Sequence, residues 1–418
     1  MTTPSLSNDC FALPPGIHWT PVDEALSLLQ ARLGPVVGVE TVPIGAAMGR
    51  ILARGATARR ANPPTANSAV DGYAFSHKAC LDGGGALPLV EGRAAAGAGF
   101  RGTVPPGHAI RILTGAPLPE GVDTVVLQED VALADGVVRF KAGLKPGANA
   151  RKAGEDVAEG AALFPAGHCL APQDLALLAA SGTADIQARQ VLRVGVLSTG
   201  DEIVSPGQAA SAEQIYDANR PLLLAILARW GYRAVDLGHV GDDADALAAR
   251  LDQAADSVDA ILTSGGASAG DEDHLSALLQ SRGKVHSWRI ALKPGRPLAL
   301  GQWRDVPVFG LPGNPVAAFV CTLIFARPAL HQMAGGQWLA PMGVMVPAAF
   351  SKSKKAGRRE YLRARLTGDG RVELFRSEGS GRISGLSWAD GLVELGDAAA
   401  EIVPGDPVMY RPYAAFGL

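Results

Sequence analysis

Residues 263–274 read Thr-Ser-Gly-Gly-Ala-Ser-Ala-Gly-Asp-Glu-Asp-His. An apolar run from Asp259 leads in and a periodic apolar run from Leu275 leads out, which spells strand, glycine-rich loop, helix start. Backbone N–H groups in such a loop can approach an anion closely, because glycine carries no Cβ and a helix N-terminus presents unpaired donors. Three carboxylates, Asp271, Glu272 and Asp273, close the loop, and a bare phosphate would be repelled by them. Either they complement the helix dipole, or a divalent cation sits between them and the anion.

Three further loops follow expected strands: Ser198-Thr-Gly-Asp-Glu, Lys293-Pro-Gly-Arg-Pro and Leu311-Pro-Gly-Asn-Pro. Lys293 and Arg296 add cations. Together the four loops place backbone donors, two cations and several carboxylates at one sheet edge, a set suited to a polyanionic ligand handled with Mg²⁺. Each element also has a simpler use. Asp271–Asp273 can be first-turn helix charges, Leu311–Pro315 a helix start, Lys293 and Arg296 solvated charges, Asp71 part of an Asp-Gly turn, and His274 a capping or packing residue. The run Lys352–Arg365 carries seven Lys/Arg in fourteen residues and reads as a solvated strand face. No G-x-x-x-x-G-K-[ST] occurs, and Ala267 breaks a G-x-G-x-x-G reading of the opening loop.

The elements that must position these loops alternate strand and helix from about residue 190. Expected strands are Val191–Leu197, Arg233–Val240, Asp259–Thr263, Val285–Leu292, Leu298–Gly301 and Val306–Leu311. Expected helices are Arg220–Trp230, Asp243–Ala255 and one opened by Asn314 as N-cap and Pro315 at the first position. This is a doubly wound, mostly parallel α/β domain over residues 190–334, whose ligands bind beyond the carboxyl ends of the strands. Residues 56–150 are rich in Gly and Pro with short β-like runs (Ala109–Leu113, Thr124–Gln128, Gly136–Phe140) and read as a β-rich module. Residues 18–55 and 151–189 carry helical candidates, Val22–Leu33 and Gln173–Ser181, and read as a helical linking region. Gly335-Gly336 marks the start of a small C-terminal β domain, residues 335–418.

A chain of 418 residues is long enough for two to four domains. The net charge of −3 with 19% charged residues argues against a general nucleic-acid binder. Four cysteines without a C-x-x-C pair suggest neither a zinc site nor a disulfide framework and suit the cytosol. The N-terminus lacks the pattern of a signal peptide, and the apolar stretch Val316–Ala326 is expected to be too short to span a bilayer. A soluble cytoplasmic protein without membrane contact is expected.

The motifs taken in order are Asn62-Pro-Pro-Thr-Ala-Asn-Ser-Ala-Val-Asp-Gly-Tyr-Ala, Ile112-Leu-Thr-Gly-Ala-Pro-Leu-Pro, Gly154-Glu-Asp, Ser198-Thr-Gly-Asp-Glu, Ser264-Gly-Gly-Ala-Ser-Ala-Gly-Asp-Glu-Asp, Lys293-Pro-Gly-Arg-Pro and Leu311-Pro-Gly-Asn-Pro. This ensemble closely resembles the molybdopterin molybdenumtransferase family, the MoeA proteins and the E domain of gephyrin, from about residue 18 to the C-terminus. The resemblance implies a four-part, elongated, homodimeric subunit with a C-terminal β-barrel-like domain. It implies Mg²⁺-dependent insertion of molybdate into adenylylated molybdopterin with release of AMP, and it admits transient contact with a molybdopterin adenylyltransferase. Carried over to this sequence, it implies catalytic roles for Asp71, Thr114, Glu202, Asp242, Asp273, Lys293 and Arg296. Substrate contacts would come from Asp156, Thr199, Gly200, Ser264, Gly265, Gly266, Ser268, Pro312, Gly313, Asn314, Pro315 and Ser384, the last preferred to Ser380. Glu202, Asp242 and Asp273 would be the Mg²⁺ ligands. The family's cleft lies between the α/β and C-terminal domains of one subunit and the β module of its partner. Departures are Ala267 and Ala269 in place of valines and Arg296 where many members carry Lys, a rigid fork instead of a point charge. Two other readings remain at this stage: a molybdopterin adenylyltransferase, which has no use for Asp71-Gly-Tyr-Ala or the C-terminal domain, and a non-enzymatic scaffold, which has no use for the site carboxylates.

Overall fold

The computed structural model describes residues 19–80, 85–265, 274–295 and 297–418. They fall into two compact units, one built from the chain up to Val39 together with Arg189–Leu418, the other from Glu40–Ala188.

The first unit is organised by a six-stranded sheet. Its order is Arg233–Val240, Arg193–Thr199, Ala260–Ser264, Val306–Leu311, Pro297–Trp303, Lys284–Arg289. The first four strands run parallel and the last two pairings are antiparallel. Strands Ala260–Ser264 and Arg193–Thr199 are buried almost throughout, as expected of strands covered on both faces. Helix Ala244–Ala255 starts where Asp243 accepts from Ala246 N–H at 2.9 Å, a side-chain N-cap. Its apolar face and that of helix His274–Arg282 close one core, around Leu247, Leu251, Leu275 and Leu279.

Two expectations change here. The strand expected over Val285–Leu292 ends at Arg289, and Leu292–Lys293 pairs in parallel with Arg359–Glu360 in the C-terminal sheet instead. The run reads as one strand in sequence, but it changes partners at Ile290-Ala291, where Ala291 N–H donates to Thr20 O. The last helix also extends well beyond Val316–Ala326. Pro315–Met333 is continuous over 19 residues and long and apolar enough, by length and composition alone, to cross a membrane. It is mostly buried inside the protein, as a core helix. Its middle, Thr322–Ala326, is π-helical and ends two residues before Pro328, whose missing N–H and bulky ring disturb the preceding turn.

The C-terminal domain orders its strands Leu292–Lys293, Arg359–Leu366, Gly391–Leu395, Pro407–Pro412, Val344–Pro347, with Val372–Leu374 beside Arg359–Leu366. A bridge from Ala348 to Val372 joins the two ends, so the sheet curls around Val346, Leu362, Val393 and Tyr410 in a barrel-like core. The basic run Lys352–Arg365 is not a solvated face. Lys354 is 3% and Arg363 4% exposed, and both spend their donors on carbonyls: Lys354 on Lys355 O and Ala398 O, Arg363 on Arg382 O, Ser377 O and Gly379 O.

The second unit holds a six-stranded sheet, Thr124–Leu127, Gly72–Phe75, Ala109–Ile112, Gly85–Ala94, Val137–Phe140, Val131–Ala134. Asp71-Gly72 is not a turn. Gly72 opens a fully buried strand, and a Cβ there would meet Val126 O at 1.9 Å, so only glycine lets the neighbouring backbone come this close. Helix Pro172–Ala180 is present, but the expected helical linking region also contains paired strands, Val39–Pro43 with Asp185–Arg189 and Ala56–Thr57 with Ala162–Phe164.

Candidate functional site at the carboxyl edge of the sheet

The strand ends Thr199, Val240, Ser264 and Leu311 lie side by side at the carboxyl edge. The loops leaving them are bonded together. Asn219, buried at the start of helix Asn219–Arg229, donates through Nδ2 to Ser264 Oγ and to Gly313 O, both at 2.7 Å. Gly265 has φ +93°, and a Cβ on it would meet Thr199 O at 2.6 Å. Gly295 has φ +103° and packs on Pro312, Ala317 and Cys321. Thr199, Gly200, Ser264, Gly265, Pro312, Gly313 and Lys293 are thus brought to one edge. The Cys321 thiol beside them is inert, since burial pushes it up to about 12.

The amides of two loop glycines have backbone partners within this edge. Gly200 N–H donates to Val240 O at 3.2 Å and Gly265 N–H to Leu311 O at 3.3 Å, because both amides continue the ladder of the adjoining strands. Asn314 occupies the N-cap position, but no side-chain hydrogen bond caps the helix. Its place is set by the C-terminal domain, whose Ser380 O accepts from Val316 N–H at 3.1 Å. Ser384 is exposed at the start of the short helix Ser384–Trp388, so of the two serines it is Ser380 whose backbone touches the Pro315 turn.

The carboxylates lie on two facing turns. Asp201 Oδ1 accepts from Asp242 N–H at 2.9 Å, and Asp242 Oδ2 accepts from Asp201 N–H at 3.2 Å. The Glu202 carboxylate folds back over Gly200, where a Cβ would come within 2.3 Å of it. His239 Nε2 contacts Gly200 O at 2.7 Å. Among the described residues no three His, Cys, Asp or Glu side chains form a metal-holding group. Hard oxygen donors on Glu202 and Asp242 nevertheless fit Mg²⁺, which commonly takes one or two carboxylates and completes its shell with water and substrate phosphate. Asp201, absent from the sequence-based set, links the two turns; its position beside Glu202 was the available signal.

Lys293 stands in a box of alternating charge. Its Nζ bonds Glu378 Oε2 at 2.7 Å and Glu360 Oε1 at 3.3 Å. Lys352 hydrogen-bonds Glu378 Oε1 and forms an ion pair with Glu360 Oε2 at 3.2 Å. Burial pulls the Lys352 ammonium down, but the two glutamates outweigh it and hold it above its ordinary value. Burial pushes Glu378 up, and the two lysines outweigh that and hold it below the usual carboxylate range. A cleft of roughly 100 Å³ adjoins the box, lined by Lys293, Pro294, Val316, Arg363, Phe375 and Glu378 among others. Lys352, Glu360 and Glu378 were not among the residues expected from sequence.

In the other unit, Asp71 Oδ1 accepts from both Thr114 N–H and Thr114 Oγ1, each at 2.7 Å. The Thr114 amide first, and its hydroxyl second, hold Asp71 below the usual carboxylate range. Asp156 Oδ2 accepts from Asn62 Nδ2 at 3.0 Å. Backbone bonds from Gly115 to Ser68, Ala69 to Asn149 and Gly154 to Pro63 draw the three sequence motifs of this unit together. Gly266, Ser268, Asp271, Glu272, Asp273 and Arg296 lie outside the described residues.

Comparison with known proteins fits this arrangement. Residues 20–182 match the family described as MoeA N-terminal region (domain I and II), 195–332 the probable molybdopterin binding domain, and 345–413 the MoeA C-terminal region (domain IV). A molybdopterin molybdenumtransferase of Haemophilus influenzae is 34% identical over 94% of this chain and 98% of its own length. A gephyrin of Dictyostelium discoideum is 28% identical over 90% of this chain and 60% of its own length. The crystal structure of a molybdopterin biosynthesis MoeA protein from Pyrococcus horikoshii is 30% identical, with a TM-score of 0.79 over 95% of this chain and 99% of that one.

Proposed function

The chain belongs to the molybdopterin molybdenumtransferase family and serves molybdenum-cofactor biosynthesis, and from that premise we propose that it inserts molybdate into adenylylated molybdopterin and releases AMP in a Mg²⁺-dependent reaction. The observation that carries this reading is the delivery of Lys293 to the carboxyl edge of the sheet, beside a cleft lined by both charged and apolar side chains and within a box of charges. Molybdate and the pyrophosphate are both anions, and bringing them together costs several kcal/mol unless cations intervene. Lys293 and Lys352 supply fixed positive charge, and Arg296 supplies a bidentate fork. Glu202, Asp242 and Asp273 would hold the Mg²⁺, which would neutralise charge on the pyrophosphate oxygens. Asn219 and the Gly265 contact tie the ends of the described strands together, so the phosphoanhydride would be met by a preorganised edge. The molecule acts as a homodimer in the cytoplasm on this reading, with Asp71 and Thr114 completing the partner subunit's site.

The test is to supply adenylylated molybdopterin, Mg²⁺ and molybdate and to follow AMP. Release that depends on molybdate and stops with EDTA is expected. Release independent of molybdate rejects the transferase reading.

A further inference from the structure

Glu378 stands between two lysines. Its carboxylate bridges the two ammonium groups of Lys293 and Lys352, one oxygen to each. Glu360 makes the same bridge, but the two glutamates are held differently. Glu360 sits in the strand Arg359–Leu366 with its side chain 11% exposed, whereas Glu378 lies in a loop with its side chain 44% exposed. One residue is therefore a fixed counter-ion and the other a displaceable one.

The loop that carries Glu378 is pinned on both sides. Arg363 Nη2 donates to Ser377 O and to Gly379 O, and Nη1 donates to Arg382 O. With the backbone held immediately before and after Glu378, its carboxylate leaves the lysines by side-chain rotation, without a loop movement. Such rotamer changes in exposed side chains are fast, on the picosecond to nanosecond scale.

Charge then decides what the cleft accepts. With Glu378 in place, Lys293 and Lys352 face two glutamates. With Glu378 rotated away, the box becomes more positive by one charge, and Arg363 and Arg376 line the adjoining cleft. The cleft is roughly 100 Å³, where a single water needs about 10–15 Å³ on the same kind of measure, so it has room for a small tetrahedral oxyanion.

We propose that Glu378 is an internal competitor for the oxyanion site, a carboxylate that occupies the Lys293–Lys352 pair until a tetrahedral dianion displaces it. This deepens the molybdate reading of the same site and makes Glu378 a specificity-determining residue. Glu378 provides one negative charge, so a monoanion that bridges both lysines only replaces it, while a dianion brings a second charge to the pair. The device weakens affinity for every oxyanion and raises the share of binding that comes from the second charge.

The experiment is titration calorimetry of the full chain with molybdate, and separately with sulfate and with nitrate, for the unsubstituted protein, Glu378→Gln and Glu378→Ala. Both variants are expected to bind molybdate and sulfate about tenfold more tightly and to gain measurable nitrate binding. Lys352→Met serves as the opposing variant and is expected to weaken binding. Unchanged or weaker molybdate binding in folded Glu378→Gln, checked by circular dichroism, overturns the proposal. The transferase reading fails separately, if AMP release does not depend on molybdate, because calorimetry of oxyanion binding does not rely on turnover.

Discussion

Arg359 and Asp23, 336 positions apart, meet in a two-pronged ion pair in which Nη1 donates to Oδ1 and Nη2 to Oδ2, each at 2.7 Å. The pair ties the helix Val22–Arg32 to the C-terminal sheet beside Ala291, whose carbonyl accepts from Arg359 N–H and whose own N–H donates to Thr20 O. Lys293 is two residues further on, so this strap fixes where the lysine leaves the α/β domain.

Arg359→Met is expected to destabilise this unit by about 3 kcal/mol, because it strips a cation from Glu394 and Asp397 as well as from Asp23. Asp23→Ala should cost about 1 kcal/mol or less, since Asp23 is 72% exposed and screened by solvent. The bond to Arg359 first, offset by burial, holds Asp23 below the usual carboxylate range. A group depressed on folding stabilises above its unfolded value, so this contribution is full above about pH 4 and fades as the pH falls further. Urea melts of both variants at neutral pH and at about pH 3 check the order and the sign.

Asn219→Leu removes both donors that join Ser264 to Gly313 and leaves the buried Ser264 hydroxyl without this partner. The expected cost is about 2–3 kcal/mol. The accompanying measurement is the midpoint of denaturation, with molybdate-dependent AMP release falling even where the protein remains folded.

Gly265→Ala places a methyl group 2.6 Å from Thr199 O at φ +93°. The strand ends must separate, and AMP release is expected to fall about tenfold or more, since small misplacements at a reacting edge are costly. An unaltered rate would show that the close contact has no bearing on turnover.

Thr114→Val keeps the amide donor to Asp71 and removes the hydroxyl donor. Asp71 should then titrate closer to an ordinary carboxylate without reaching it. A carbon-detected titration of the side chain reads this directly, and Asp71→Asn should lower AMP release in the same assay.

Heterodimers test the shared site. An Asp71→Ala chain and an Asp273→Ala chain, each inactive alone, should regain part of the activity when mixed and refolded together. Activity that stays at the level of the separate chains would argue for a site complete within one subunit.

Much of this molecule was legible in its order of residues. The strands Arg233–Val240 and Val306–Leu311 and the helix opened by Asn314 and Pro315 follow from period and capping chemistry, which are local properties. So does the presence of the loops Ser198–Glu202, Lys293–Pro297 and Leu311–Pro315, since their Gly and Pro content has few other uses. Pairings that close over long stretches were not legible. Lys293 finds Glu360 and Glu378 at separations of 67 and 85 residues, and Leu292–Lys293 leaves one sheet for another because Arg359–Leu366 offers it an open edge. The run Lys352–Arg365 looked solvated because its counter-charges and carbonyl acceptors, on Asp23, Glu378, Ala398 and Arg382, are remote in sequence. Sequence periodicity records which face of an element is apolar, not which distant partner meets it. The chemistry-bearing residue types were therefore readable along the chain, while their charge environment came from strand register and domain contacts within the folded unit.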